Sequence, residues 1–175
     1  MLLTTYKQKF IEFLNSKLID EQILDSVNLI KQHKRIFFIG NGGSNSICSH
    51  MMEDWAKVLK YESFSFTDAS LITCFSNDYG YEEAMVEWLK VYYKPDDILV
   101  AISSSGNSAN INKAVDYVNS VNKNVITLSG FKKDNPLFGK GKINFYLDSN
   151  SYGIVECYHQ TILHTILDII HEGNQ

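Results

Sequence analysis

The sequence has little cysteine, little proline and no excess of positive charge, and each shortage excludes a class of protein. Its three cysteines, Cys48, Cys74 and Cys157, are odd in number and widely spaced, which gives neither a CxxC metal pattern nor a disulfide framework. The formal net charge of −4 argues against nucleic acid as the main partner, because phosphate backbones bind to basic faces. Two prolines occur in 175 residues, and no linker rich in Pro, Gly or Ser divides the chain. We therefore expect a single domain, residues 1–175, with reduced thiols.

Long apolar runs are also missing. The first 13 residues include Lys7 and Lys9 in a mixed amphipathic stretch, unlike the apolar core of a secretory signal. No later run is long enough to cross a bilayer. The sequence therefore predicts a cytoplasmic protein that has neither a membrane nor a nucleic acid as its partner.

The spacing of apolar residues predicts alternating helices and strands. The predicted helices span residues 6–32, 44–59, 69–75, 81–93, 109–121 and 152–171, and the predicted strands span 35–40, 61–66, 97–102, 124–129 and 143–147. Strands with nearly continuous apolar sequences, alternating with helices, favour a parallel sheet that is covered on both faces. Ligands of such sheets bind beyond the carboxyl ends of the strands.

A serine-rich segment follows the third predicted strand. The residues after Ile102 read Ser-Ser-Ser-Gly-Asn-Ser, positions 103–108, and helical spacing begins at Ala109. The first amides of such a helix and the positive end of its dipole favour a phosphate, and the hydroxyls add donors around its oxygens. Taken alone, the segment is equally compatible with an ordinary serine N-cap.

A second turn of the same kind follows the first predicted strand. The sequence GNGGS, positions 40–44, leads into the next helix, and its paired glycines permit a positive φ and a close approach of the backbone to a ligand. Taken alone, GNGGS is also compatible with a plain loop. Two such turns in one short chain predict an α/β domain that binds a phosphate.

Acidic and imidazole side chains form a second group. His50 and Asp54 are four residues apart on one helix face, a spacing at which they can share a metal ion, although alone the pair is typical of a surface contact. On the last helix, Glu156, Gln160 and His164 recur at intervals of four. Positions 156 and 164 lie about 12 Å apart along the axis, so both reach one ion only if it lies between them. We interpret the remaining histidines as surface or packing residues: His33, His159 and His171.

The last predicted helix is apolar on nearly every side. Val155, Ile162 and Ile166 lie on one side, and Leu163 and Leu167 lie on the side that carries the polar residues. A helix of this kind needs cover on both sides, so we expect it to pack on its own sheet and on a partner subunit.

With these motifs the chain resembles the sugar isomerase (SIS) domain family, and in particular its phosphoheptose isomerase branch. The resemblance covers essentially the whole chain and is carried by positions 41–44, His50, 77–80, 103–108 and the spacing of 156 and 164. It implies an α/β fold with a flavodoxin-like, five-stranded parallel sheet, a zinc ion in each chain, and a homotetramer with active sites at subunit interfaces. We expect predicted helix 6–32 to pack within that oligomer. The resemblance also implies conversion of sedoheptulose 7-phosphate, a sugar phosphate, into glycero-manno-heptose 7-phosphate for the heptose of lipopolysaccharide or capsule.

The resemblance further implies a role for individual residues. The implied catalytic residues are Asp54 and His164, and the implied metal ligands are His50, Asp54, Glu156 and His164. The implied substrate-binding residues are Asn41, Gly42, Gly43, Ser44, Asn77, Asp78, Ser103, Ser104, Ser105, Asn107, Ser108 and Glu156. Asp78 is equally suited to be the N-cap of the helix that begins near Tyr81. Three positions depart from the family pattern: Asp54 replaces a glutamate, Glu156 a glutamine and Gly153 an aspartate.

Two other functions stay open at this point. The three departures are compatible with an isomerase of a different sugar phosphate. The second alternative is a non-catalytic SIS scaffold resembling the replication-initiator regulator DiaA, which binds a protein through its tetramer surface. His50 and His164 speak against the scaffold, because a pure binding module has no evident use for them.

Overall fold

The central sheet consists of five parallel strands in a computed structural model that describes residues 3–173. The strands are β1 (Arg35–Ile39), β2 (Glu62–Ser65), β3 (Ile98–Ser103), β4 (Val125–Gly130) and β5 (Ile143–Leu147). Their spatial order is β2-β1-β3-β4-β5, and it reverses between β1 and β3, where open α/β sheets bind their ligands. The predicted flavodoxin-like sheet is confirmed. Two residues at each end of the predicted domain 1–175 lie outside the described residues.

Seven α-helices cover this sheet within residues 3–173. They are α1 (Leu3–Leu14), α2 (Lys17–Ile30), α3 (Gly43–Asp54), α4 (Ala69–Tyr79), α5 (Ala84–Tyr92), α6 (Ala109–Val121) and α7 (Tyr152–Glu172). One core contains side chains of α1, α2, α3 and α7, and the other contains side chains of α5 and α6 with α4 packed against it. Every residue of β3 and β4 is buried, which explains the nearly continuous apolar sequence of both strands.

The single predicted helix 6–32 is wrong, because the chain forms two helices that meet at Asn15 and Ser16. The Asn15 side-chain amide donates to the Ile11 carbonyl oxygen (2.9 Å), and Ser16 has an extended backbone (φ −82°, ψ 106°). Such side-chain bonds compete with the helical ladder. The turn also places the Phe13 ring against Tyr158 of α7, with 3.7 Å between ring centroids.

Other predicted helices begin or end at different residues in the structure. Predicted helix 44–59 is α-helical to Asp54 and continues as a π-helical turn, Trp55–Leu59, which ends at Lys60 in the left-handed conformation (φ 59°). Predicted helix 69–75 extends to Tyr79, and predicted helix 81–93 shortens to α5. Asp78 therefore lies in the last turn of α4 and does not cap α5. The capping aspartate is Asp68, whose carboxylate accepts from the Leu71 amide (3.0 Å) at the start of α4.

The long helix α7 is covered by its own chain. Both sides are buried by α1, α2, α3 and the sheet, and Leu163 and Leu167 are 1% and 4% exposed. The apolar residues of α7 therefore do not require a partner subunit for cover, and the contact of α7 with a partner stays a prediction. Five of the exposed large apolar side chains lie on the first two helices: Leu3, Ile11, Leu14, Leu18 and Leu24. The others are spread over the rest of the described residues: Tyr79, Tyr81, Val91, Tyr92, Val121 and Tyr152. Between residues 3 and 173, no helix is long and apolar enough to cross a membrane.

Candidate active site

The carboxyl ends of β1 and β3 open into a polar cavity of about 240 Å³, which we call the serine cavity. It is lined by Asn41, Gly42, Gly43, Ser44, Ser103, Ser104, Ser105, Ser108, Tyr152 and Glu156. The structure thus brings both predicted turns, and the N-terminal ends of α3 and α6, to one place. Asn107 lies exposed beside the cavity, where its backbone amide donates to the Ser105 hydroxyl (3.3 Å).

Hydroxyls, amides and the Glu156 carboxylate line this cavity, and none of its lining side chains among the described residues is cationic. Arg35, the one arginine of the sequence, lies at the start of β1, where it binds Asp97 (2.9 Å) and Glu62 (3.2 Å). A phosphate in the serine cavity would therefore depend on helix dipoles, backbone N–H groups and hydroxyls.

Glycine is required where β1 meets α3. A Cβ at Gly40 would lie 2.7 Å from the carbonyl carbon and 2.8 Å from the oxygen of Ser44, so a side chain there would collide with backbone. Gly42 is the N-cap of α3 and has a positive φ of 54°, which other residues adopt at a cost. These two positions let the first turn of α3 approach the sheet edge closely.

Two buried asparagines, Asn112 and Asn135, support the serine-rich turn by contacts with its backbone. Sequence reasoning missed both. The Asn112 side-chain amide donates to the carbonyl oxygens of Gly106 (2.9 Å) and Ser108 (3.0 Å). A side chain at Gly106, where φ is +69°, would collide with Asn135. Asn135 in turn donates to the Ser129 hydroxyl (3.3 Å). The available signal was weak: Asn112 stands four residues after Ser108 on an otherwise apolar helix face.

A pair of amides joins the two predicted turns. The Asn41 side chain donates to Asn110 (2.9 Å) and accepts from it (3.0 Å), and the Tyr81 hydroxyl donates to the same Asn41 oxygen (2.9 Å). Asn41 thus lines the cavity with its side chain already paired. Asn77 and Asp78 are exposed on α4, where the Asn77 amide donates to Asp78 (3.0 Å), and this chain does not bring them to the serine cavity. Their contact with a substrate stays a prediction.

His50, Asp54 and His164 form a second cluster, the His-Asp-His group. The Asp54 Oδ2 atom lies 3.2 Å from His50 Nε2 and 3.9 Å from His164 Nδ1, and the two imidazole rings meet edge to face with centroids 5.1 Å apart. The side chains of His50, His164 and Asp54 are 51%, 36% and 21% exposed. The predicted catalytic pair is therefore close together in one chain.

Burial of the neighbouring face of α3 positions this group. Met51 and Trp55 are fully buried, and the Trp55 ring packs edge to face on Phe38 with 5.8 Å between centroids. This anchoring fixes the rotation of α3, so that His50 and Asp54 project towards α7. A π-helical turn begins at Trp55, the residue after Asp54. Such turns are frequent at functional sites.

Gln160 contacts the second ring nitrogen of His164. The amide Nε2 and the imidazole Nε2 are 2.7 Å apart. When the amide donates, the ring proton lies on Nδ1, the atom facing Asp54. A metal ion on Nδ1 requires the opposite tautomer, and the amide then accepts from Nε2–H through its own oxygen. Gln160 therefore supports His164 in either form.

The donor set of the His-Asp-His group fits a zinc ion. One ligand atom from each residue can be chosen so that all three lie within 4.8 Å of one another. Donors about 2.1 Å from a tetrahedral zinc lie about 3.4 Å apart, and the observed separations of 3.2 and 3.9 Å bracket that value. Two imidazoles and a carboxylate leave a fourth position open. Glu156, the fourth predicted ligand, is not part of this group and lies instead in the serine cavity.

The other histidines lie outside both clusters. His159 is fully buried, with Nε2 3.3 Å from the Ser129 carbonyl oxygen and Nδ1 without a hydrogen-bond partner. Burial lowers the pKa of this imidazole to about 4, because the charged form loses its hydration. His33 contacts the Asp96 carbonyl oxygen (2.7 Å). The interpretation of His159 as a packing residue is confirmed.

The chain is similar in sequence and in fold to known proteins. The SIS domain family matches over residues 7–130. The phosphoheptose isomerase of Fusobacterium nucleatum is 30% identical over 95% of this chain and 92% of its own length, and that of Coxiella burnetii is 32% identical over 94% and 86%. The solved structure of phosphoheptose isomerase GmhA from Neisseria gonorrhoeae has a TM-score of 0.86 at 23% identity, over 97% of this chain and 94% of that chain. The chain therefore belongs to the SIS domain family, in the branch of the phosphoheptose isomerases.

Proposed function

We propose that the protein interconverts sedoheptulose 7-phosphate and glycero-manno-heptose 7-phosphate. The observation that carries this proposal is that the serine cavity and the His-Asp-His group share two helices, α3 and α7. Ser44 and His50 are six residues apart, or about 9 Å along α3. An extended seven-carbon chain that ends in a phosphate spans about 10 Å at standard bond lengths. The activity of the curated relatives supports the same substrate.

In this proposal the phosphate binds in the serine cavity. The N-terminal ends of α3 and α6 face it, and Ser44, Ser103, Ser105 and Ser108 supply hydroxyl donors. The reacting carbons then lie at the His-Asp-His group. Asn41, already held by Asn110 and Tyr81, lines the same cavity.

The reaction moves one proton between adjacent carbons through a cis-enediol, and it needs an acid and a base on one face of the substrate. One member of the pair Asp54 and His164 removes the proton from C1 while the other protonates the C2 oxygen. The first then returns a proton to C2, and the second takes the proton from the C1 hydroxyl, which becomes the aldehyde. The pair ends in its starting protonation state.

Zinc is the proposed ion of the His-Asp-His group, and in the absence of substrate His50, Asp54 and His164 would hold it. Gln160 contacts the other ring nitrogen of His164, so His164 would act as acid or base only through an Nδ1 atom that is not bound to the ion. When bound, it would supply a Lewis acid that polarises the carbonyl oxygen. Elemental analysis of protein purified without chelator is expected to give about one zinc per chain, and His50→Ala is expected to lose it. Full activity in EDTA, together with a protein free of metal, would contradict a role for the ion.

The proposal extends to assembly, location and pathway. We propose a homotetramer in the cytoplasm that serves heptose synthesis for lipopolysaccharide or capsule. The exposed apolar residues of α1 and α2 are the surface that an oligomer would cover, and the three free cysteines suit a reducing compartment. Sedimentation is expected to report four chains, and Leu14→Glu to reduce that number. A wild-type monomer at micromolar concentration would contradict the tetramer.

The activity is tested directly by incubating the protein with sedoheptulose 7-phosphate in D₂O and following the sugar by NMR. We expect the aldose product with deuterium at C2, because the proton taken from C1 exchanges with solvent on the catalytic base before it is delivered to C2. His164→Gln is expected to abolish the signal. The matched control His33→Gln alters a histidine distant from both clusters and is expected to keep it.

Two outcomes would contradict the proposed substrate. Much faster turnover of a shorter sugar phosphate would make the protein an isomerase of that sugar. No turnover of any sugar phosphate by a folded, metal-loaded protein would favour the non-catalytic scaffold.

A further inference from the structure

Glu156 places a carboxylate inside the serine cavity. Its side chain packs on Gly43, the first residue of α3, so closely that a Cβ on Gly43 would lie 2.5 Å from both carboxylate oxygens. The missing Gly43 side chain is thus what makes room for the carboxylate. An anion in this position faces the positive end of the α3 dipole, which stabilises it.

No other side chain neutralises this charge. Among residues 3–173, Glu156 has neither a hydrogen-bond nor an ion-pair partner, and no lysine, arginine or histidine lines the cavity. The end of α3 that is suited to a phosphate is therefore already in contact with an anion that belongs to the protein.

Two kinds of anion respond differently to this carboxylate. Inorganic phosphate brings up to two negative charges, and its donors are limited to one or two P–OH groups, so little offsets the repulsion. A sugar phosphate carries hydroxyl groups next to its phosphate, and these can donate to the carboxylate as charge-assisted hydrogen bonds. The same carboxylate thus opposes one ligand and supports the other.

We propose that Glu156 is a specificity-determining residue, which competes with free phosphate for the N-terminal end of α3 and so makes the cavity select phosphates that carry a polyol. The proposal rests on the proposed function in so far as the serine cavity binds the substrate phosphate. It assigns to Glu156 a task that a neutral glutamine at this position could not perform.

The test compares the wild-type protein with Glu156→Gln, which keeps the shape of the side chain and removes its charge. Isothermal titration calorimetry measures the Kd of inorganic phosphate and of sedoheptulose 7-phosphate. Each titration is made with the protein as purified and again in the presence of EDTA, which excludes the binding of phosphate to a metal ion. In Glu156→Gln we expect phosphate to bind at least about tenfold more tightly, and the sugar phosphate to change by less than about threefold.

Two further variants control this comparison. Glu172→Gln makes the same change in net charge about 24 Å further along α7 and is expected to leave both Kd values unchanged. Glu156→Ala removes the charge without adding an amide, and it too is expected to bind phosphate more tightly. Thermal melting checks that all variants are folded.

The possible failures are distinguishable. Equal phosphate affinity in wild-type, Gln and Ala proteins that all bind sedoheptulose 7-phosphate would overturn the role of Glu156 and leave the proposed function intact. If neither ligand bound to any of these folded proteins, the serine cavity would not be the phosphate site, and both proposals would fail.

Discussion

The serine cavity is built from buried, braced backbone, whereas the His-Asp-His group stands near the surface with little support. Ser103 and Ser104 are 4% and 5% exposed, and Asn112 holds their turn by two hydrogen bonds. In the other region the histidine side chains are 51% and 36% exposed, and Gln160 is the one side chain outside the group that hydrogen-bonds to it among residues 3–173.

This difference in burial suits the serine cavity to binding and the His-Asp-His group to chemistry. The cavity is preorganised, so the entropy of ordering its donors is lost on folding and not on binding. The His-Asp-His group keeps partly exposed side chains, and a metal ion or a substrate would order them further. Changes in the cavity should therefore appear in substrate affinity and stability, and changes in the group should appear in kcat.

The largest expected effect comes from Asp54→Asn. Removal of the carboxylate takes away an acid–base group that typically contributes about 10²- to 10⁴-fold, so kcat for sedoheptulose 7-phosphate should fall at least about a hundredfold. The melting temperature and the oligomeric state should not change, because Asp54 lies at the edge of the core. Near-normal turnover by the Asn variant would remove Asp54 from the chemistry and point to Glu156 as the base or to the scaffold function.

A stability effect is expected from His159, behind the serine cavity. Its pKa is about 4 in the folded protein and near its ordinary value of 6.5 in the unfolded chain. Between these values the unfolded chain binds more protons, so the free energy of unfolding decreases as pH falls from 6.5 to 4, by up to about 3 kcal/mol. Urea titrations of wild type and His159→Leu at several pH values measure this difference.

The His159→Leu protein should lose this part of the pH dependence, whatever its absolute stability. His33→Gln is the control and should keep it. Parallel profiles for wild type and His159→Leu would show that His159 is not the titrating group.

A smaller loss is expected from Asp54→Glu, which restores the acid typical of the family. In this chain the Asp54 carboxylate already reaches both imidazoles, so the longer side chain displaces its oxygens. A shift of about 1 Å can cost up to about a hundredfold in rate, and we expect a fall in kcat of about tenfold. A gain in kcat would mean that the group is not adapted to the shorter acid.

The smallest expected effect concerns the serine cavity. Changing Ser103 and Ser105 together to Ala should raise KM at least about fivefold, since each of the two lost hydrogen bonds contributes a net free energy of about 0.5 to 1.5 kcal/mol. The value of kcat should change less than KM. Ser46→Ala on the exposed side of α3 serves as control, and an unchanged KM in the double variant would place the phosphate elsewhere.

Features that depend on local sequence were predictable. The turns at 40–44 and 103–108 need only a strand, a helix start and small residues, and the parallel sheet with its topology places both at one edge. The four-residue spacing of His50 and Asp54 likewise fixes a shared helix face. The proximity of His164 to His50 and Asp54 depends on the packing of α3 against α7. The resemblance to the SIS domain family predicted it, and the spacing within either helix did not.

Features that depend on packing were not predictable from the same patterns. The apolar period runs through Asn15 and Ser16, so the break between α1 and α2 emerges only when Phe13 packs on Tyr158. The position of Glu156 follows from the contact of α7 with Gly43, which no spacing within α7 reveals. The apolar surface of α7 indicated burial but not whether its cover came from the same chain.

The π-helical turn at Trp55–Leu59 has an evolutionary consequence. Its hydrogen bonds span five residues instead of four, so it holds one residue more than an α-helical turn of the same position. Deleting a single residue from this turn would restore α-helical geometry while Asp54 stayed in place. Relatives without the turn should therefore align with a one-residue gap just after Asp54, and the length of the segment that follows α3 can change during descent without loss of the His-Asp-His group.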